Sequence, residues 1–312
     1  MARVAVIGAG NVGATCAHVL AQRDVAKSVV LVDILEGFPQ GKALDMREAG
    51  PLQDFDCEVS GTNDVAAGVA GADVVVMTAG LARKPGMDRM DLLRKNTEIV
   101  AGAMRAVKER APNAVVIMVT NPLDVMTWVA HRVTGFPRER VVGMAGVLDS
   151  TRFRAFIAME LGVSVVDVSA MVLGGHGDTM VPLPRYSTVN GIPITELLEP
   201  DAIARLSDRT RKGGGEIVAL LKTGSAYYAP GTSAAQMTEA VLKDRGHLLP
   251  ACISLEGEYG QKDLCLGVPV ILGKGGVRRI VELHLTADEK AMLAGSADAV
   301  RKGIEEVRGM IT

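Results

Sequence analysis

Val4-Ala5-Val6-Ile7-Gly8-Ala9-Gly10-Asn11-Val12-Gly13 opens the chain, and Asp33 closes a second apolar run, Val29-Val30-Leu31-Val32, twenty residues after Gly13. The pattern predicts a strand that turns sharply at Gly8 and lets a pyrophosphate approach the backbone at Gly10. The phosphates then meet the N-terminus of the next helix, where free N–H groups and the helix dipole favour negative charge. Gly13 permits close packing of helix on strand, and Ala9, Asn11 and Val12 complete the phosphate loop. Asp33 is placed to accept hydrogen bonds from both ribose hydroxyls of an adenosine, and its charge would repel a 2′-phosphate, so the expected cofactor is NAD rather than NADP. Three glycines in six positions mean little in a chain with 35 glycines. The register of strand, helix, strand and acidic residue carries the assignment.

Working outward, short β-branched runs alternate with helical patterns. Strands are expected near 3–7, 29–32, 73–77, 115–119 and 141–143, with helices near 11–22, 39–48, 91–110 and 123–134. This rhythm predicts a doubly wound parallel α/β sheet over residues 1–146. The turn residues at Gly8, Asp33, Thr78-Ala79-Gly80 and Thr120-Asn121-Pro122 should gather along its carboxyl edge. From 147 to 312 the pattern changes to an α+β substrate domain: a helix at 148–161, β-rich runs at 165–169 and 170–173, helices at 201–220 and 225–243, strands at 249–256, 264–271 and 277–283, and a terminal helix from 287. Lys212-Gly213-Gly214-Gly215 lies inside a helical pattern with no apolar strand before it, so it reads as a helix break or kink beside the site rather than a second phosphate loop.

At 312 residues with a formal net charge of −2, the chain has no basic field for nucleic acid. Its apolar runs are strand-sized, far below the ~20 residues of a membrane span. The first strand begins at once, leaving no room for a leader, and the expected compartment is the cytoplasm. Cys16, Cys57, Cys252 and Cys265 show neither disulfide nor zinc spacing, so no metal is expected.

Four segments carry the chemistry: residues 79–89, which bear Arg83, Lys84, Arg89 and a Pro85-Gly86 turn; Thr120-Asn121-Pro122-Leu123-Asp124; Leu148-Asp149-Ser150-Thr151-Arg152; and Gly174-Gly175-His176-Gly177-Asp178. His176, framed by small residues, is a candidate general acid/base because an imidazole exchanges protons near neutrality. Asp149 and Arg152 share a helix face three residues apart. In this order and spacing the chain resembles the lactate/malate dehydrogenase superfamily, and within it the malate dehydrogenases of the lactate-dehydrogenase-like group. The resemblance runs from residue 2 to the terminal helix.

It implies NAD-linked interconversion of malate and oxaloacetate. His176 would exchange the hydroxyl proton, Asp149 would orient the imidazole, and Arg152 would pair bidentately with the C1 carboxylate. The 80–89 stretch would be a mobile lid, in which Arg89 polarises the reacting carbonyl and Arg83 meets the distal carboxylate. Lactate dehydrogenases commonly carry Gln at the position of Arg83, so Arg83 argues for a dicarboxylate. Asn121 would bond the reacting oxygen or the nicotinamide ribose, and Asn96, Val119 and Thr120 would contact the cofactor. The segment 223–231 matches the family beside the substrate pocket.

The resemblance also implies a homo-oligomer, dimer or tetramer, for which the stretch Lys42-Ala43-Leu44-Asp45-Met46 is a candidate contact. The competing readings are another 2-hydroxy-acid dehydrogenase, a non-catalytic NAD-binding protein, and an NAD-dependent glycosidase. The last needs metal-binding Cys and His positions that are not seen.

Overall fold

The computed structural model describes residues 2–81 and 89–311. β1 (Arg3–Ile7), α1 (Asn11–Gln22), β2 (Ser28–Val32), α2 (Phe38–Gln53), β3 (Glu58–Thr62), α3 (Val65–Val69), β4 (Val74–Met77), α4 (Arg89–Arg110), β5 (Val115–Met118), α5 (Leu123–Thr134) and β6 (Val141–Gly143) succeed one another along the first half. Their strands pair in parallel in the order β3-β2-β1-β4-β5-β6. The central strands are apolar throughout apart from the first residues of β1 and β2, Arg3 and Ser28, because helices cover both faces; Val4, Val29, Val74 and Val116 are fully buried. The strand order reverses between β1 and β4, so their carboxyl ends diverge into the crevice where open α/β sheets bind ligands.

The second half comprises α6 (Gly146–Leu161), β7 (Val168–Ser169), β8 (Val172–Leu173), β9 (Val181–Pro182), β10 (Thr188–Val189), β11 (Ile192–Pro193), α7 (Pro200–Leu221), α8 (Tyr228–Leu242), β12 (His247–Glu256), β13 (Lys262–Gly273), β14 (Gly276–Ile280) and α9 (Ala287–Val307). The antiparallel strands β12, β13 and β14 extend the parallel sheet: β12 pairs with β6 at Cys252 and Gly143, giving nine strands in one sheet. α8 returns across the first half and packs on α1. A side chain at Gly231 would lie 2.7 Å from Cβ of Thr15 and 2.8 Å from the Val12 carbonyl.

Three expectations need correction. β3 and α3 went unrecognised, because an edge strand buried on one residue only, Val59, carries little apolar signal. The 165–169 run is a 3-10 turn at Val165–Asp167 followed by β7, while Val172–Leu173 belongs to a different sheet. The three glycines do not break the helix, since α7 runs through them from Pro200 to Leu221. A neighbour crowds one of them, Gly213, while Gly215 has nothing within 4 Å. A Cβ at Gly213 would sit 3.2 Å from Cδ of Arg152, and one at Gly214 would sit 3.6 Å from its guanidinium.

Candidate active site

At the end of β1, Gly8 turns with φ +100°, and a Cβ there would meet the Ala79 nitrogen and Thr78 Oγ1 at 2.6 Å. A Cβ at Gly13 would come within 1.9 Å of the Gly8 carbonyl oxygen, so helix and strand can approach this closely only through glycine. Gly10 differs: a Cβ there would meet nothing within 4 Å. It is also the N-cap of α1 and supplies no capping side chain, which leaves the first amides of the helix open beside free space. That is the cradle a pyrophosphate needs, and the residues fit a dinucleotide. Asp33 anchors the neighbouring turns, its Oδ2 accepting from the Ala9 amide at 2.8 Å and its Oδ1 from the Leu35 amide at 3.1 Å.

The loops after β4 and β5 are tied together by Asn96 of α4, which is 1% exposed. Its Oδ1 accepts from the Leu81 amide at 2.8 Å, and its Nδ2 donates to the carbonyls of Asn121 at 2.8 Å and Leu81 at 3.2 Å. With the amide committed in this way, Asn96 shapes the site from beneath. Thr120, also buried, donates from Oγ1 to the Ala79 carbonyl at 2.7 Å, and the Val119 amide donates to the Met77 carbonyl at 2.8 Å. Asn121 is exposed and precedes a cis peptide bond to Pro122. Of the stretch expected as a lid, residues 82–88, Arg83 among them, lie outside the described residues, while Gly80 and Leu81 precede them and Arg89 begins α4.

Three of the residues singled out in the sequence form one chain of contacts. Asp149, in the first turn of α6 with a side chain 3% exposed, accepts from His176 Nδ1 through Oδ2 at 2.9 Å and from Arg152 through Oδ1 at 3.4 Å. An ionised carboxylate only accepts, so Nδ1 carries a proton and Nε2 is left for substrate. Burial, the largest influence on the ring, favours its neutral form. The charge and hydrogen bond of Asp149, with Asp124 behind it, outweigh burial and hold the His176 pKa above the ordinary histidine value. Arg152 moves the other way, because burial lowers its pKa more than Asp149 raises it. Its Nε has no hydrogen-bond partner among the described residues.

Asp124 lies within a quoted segment yet received no role from the sequence. It is 5% exposed, and its Oδ2 accepts from the His176 backbone amide at 2.8 Å, fixing the histidine loop to α5. Burial pushes its carboxyl pKa up, although the His176 amide, the His176 charge and the Cys252 thiol all oppose that shift. Ser296 of α9 holds the preceding residue, its Oγ accepting from the Gly175 amide at 2.8 Å. A signal for Asp124 existed: it is the sole carboxylate in a stretch, 123–130, that is buried at every position. Ser296 had none, being 121 residues from its partner.

Two family models match the chain, lactate/malate dehydrogenase NAD binding domain over residues 2–143 and lactate/malate dehydrogenase alpha/beta C-terminal domain over residues 146–310. Malate dehydrogenase of Roseiflexus sp. is 54% identical over 308 residues, covering 99% of both chains. The malate dehydrogenase of Salinibacter ruber, in its solved structure, superposes with a TM-score of 0.94 at 55% identity, covering 99% of this chain and 98% of that one. A lactate dehydrogenase from Cryptosporidium parvum, solved with lactic acid and nicotinamide adenine dinucleotide, superposes with a TM-score of 0.93 at 43% identity over 97% of each chain.

Proposed function

The chain belongs to the lactate/malate dehydrogenase family, and from that premise we propose that it interconverts malate and oxaloacetate with NAD, using His176 as the general acid and base. The observation that carries the reading is the buried contact chain from His176 through Asp149 to Arg152, assembled from two separate elements.

In the oxidative direction, neutral His176 takes the hydroxyl proton at Nε2 while Asp149 stabilises the imidazolium that forms. In the reductive direction the imidazolium returns that proton to the carbonyl oxygen. NAD, when bound, supplies the acceptor or donor of the hydride exchanged at the substrate's C2. Arg152 holds the C1 carboxylate, and its planar fork suits that pairing better than an ammonium. The glycines of α7 leave space along its flank. Gly8, Gly10, Gly13 and Asp33 hold the cofactor, with Ala9, Asn11, Val12, Val119 and Thr120 lining it. Asn121 addresses the reacting oxygen or the nicotinamide ribose, Arg89 the reacting carbonyl, and Arg83 the distal carboxylate. We read residues 1–146 as the cofactor domain and 147–312 as the substrate domain.

The protein is further read as a cytoplasmic homo-oligomer. Its four cysteines are all free and buried, which suits a reducing compartment. No helix among the described residues is long and apolar enough to cross a membrane. Within the stretch 42–46, Ala43 and Met46 pack inward while Leu44 is 59% exposed; Leu52 on the same helix is 87% exposed. Such apolar exposure supports contact with a second copy.

Steady-state NADH oxidation tests the substrate assignment. The wild type should prefer oxaloacetate to pyruvate, and Arg83→Gln should shift the ratio of kcat/KM values toward pyruvate by about 100-fold, the scale of a lost charge pair. A variant that keeps the wild-type preference would remove Arg83 from the distal-carboxylate role.

A further inference from the structure

Away from the residues just described, α1, α8 and the entry to β12 enclose a polar cleft of about 500 Å3, lined by Arg23, Thr232, Gln236, Glu239, Arg245 and His247. Thr232, Gln236 and Glu239 recur at helical spacing along one stripe of α8, whose opposite face packs into the core. Glu239 is the focus: its carboxylate lies 3.7 Å from Arg23, 3.0 Å from Arg245 and 4.0 Å from Lys243. One negative charge therefore faces three cations.

The carboxylates next in sequence to the two arginines are engaged elsewhere. Asp24, next to Arg23, directs its Oδ1 to the amides of Asp56 and Cys57, both at 3.2 Å. Asp244, next to Arg245, is taken by Arg278 and the Lys274 amide. Arg23 and Lys243 cap the C-termini of α1 and α8, where helix carbonyls also face the cations. Each of these carbonyls accepts from a backbone amide, Ala21 from Asp24, Leu20 from Val25, Val241 from Asp244 and Ala240 from Arg245, and carries only a partial charge. The charged groups lining the cleft, Arg23 and Arg245 against Glu239, leave an excess of one positive charge, with the Thr232 hydroxyl and the Gln236 amide as neutral donors along its wall.

We propose that this cleft binds a small multivalent oxyanion, a phosphate-bearing or polycarboxylate metabolite, between Arg23 and Arg245. Guanidinium groups recognise both chemistries through paired N–H donors. The two sources are told apart by titration. Calorimetry of the protein saturated with NADH and malate, a pair that cannot react with each other, keeps the nucleotide and substrate sites filled while inorganic pyrophosphate, and separately citrate, probes the cleft.

At least one anion should bind with a Kd of about 0.1–1 mM, and the tighter of the two identifies the ligand class. The double variant Arg23→Ala/Arg245→Ala should weaken that binding by about tenfold or more, with NADH oxidation by oxaloacetate retained as evidence of a folded protein. Glu239→Gln should do the opposite and tighten it, because it removes the competing carboxylate, an outcome that damage to packing would not produce. Absence of binding to about 10 mM, or affinity unchanged in both variants, overturns the site. If the double variant fails to fold, Glu239→Gln decides alone: tighter binding upholds the proposal and unaltered binding refutes it.

Discussion

His176 is held by two buried carboxylates at different atoms. Asp149 touches the ring at Nδ1 and so sets its tautomer and, most strongly of the two, its proton affinity, whereas Asp124 touches the backbone amide and fixes where the ring stands while its charge adds to the same upward shift. A pH profile reads the Asp149 effect. Because Asp149 holds the His176 pKa above its ordinary value, the protonated ring that the proposed mechanism requires for oxaloacetate reduction persists to higher pH than an isolated histidine would allow. Reduction should therefore be sustained below that pKa and fall as pH rises through it, while malate oxidation, which needs the neutral ring, should rise over the same interval. Asp149→Asn removes the charge, so both limbs should move to lower pH, along with a large loss of kcat. If the limbs stay where they are in the variant, some other group is titrating. His176, Asp149 and Arg152 were legible in the sequence because each sits in a local frame, GG-H-GD or L-D-x-x-R, that survives without knowledge of the fold. The function of Asp124 was not, because its partner lies 52 residues away and only packing brings them together.

Among the elements, α7 illustrates how the same residues read differently once their surroundings are known. Three consecutive glycines argue for an interrupted helix on propensity, since each costs about 1 kcal/mol relative to alanine. The helix nevertheless continues, held by Leu206, Thr210 and the rest of its buried face, and the glycines clear the flank of Arg152. Gly213→Ala should therefore separate stability from function. The added methyl favours the helix, so the melting temperature should hold or rise. Its approach to within 3.2 Å of Arg152 Cδ should displace the guanidinium and raise the KM for oxaloacetate by about tenfold. Kinetics identical to wild type would mean that Arg152 can accommodate the methyl group. The helices α1 and α9 were legible because burial of one face imposes a 3.6-residue period, and β1 and β2 because burial of both faces leaves short continuous apolar runs bounded by turn residues. β3 was not, because Glu58-Val59-Ser60-Gly61-Thr62 packs against one neighbour strand, at the edge of the sheet, and needs little apolar patterning.

At the scale of the whole molecule, the two halves share more than a border. One nine-stranded sheet passes from β3 to β14 across the β6–β12 junction, and α8 of the second half lies on α1 of the first. Separating the halves would expose the edge of β6 and the apolar face beneath α8, so unfolding one should expose the other. Scanning calorimetry of the intact chain should then show a single transition, and two resolved transitions would show that the halves unfold independently. The amino-acid order by itself determined the parallel α/β half, the dinucleotide cradle and the grouping of His176, Asp149 and Arg152, because apolar strand runs, glycine turns and short motifs are local properties. Tertiary structure alone decided that the antiparallel strands join the same sheet, that Asp124 and Ser296 fix the histidine loop, that Gly213 lies against Arg152, and that three cations converge on Glu239. Each of these depends on contacts between segments distant in sequence, where the residue types carry no record of their partners until the chain is packed.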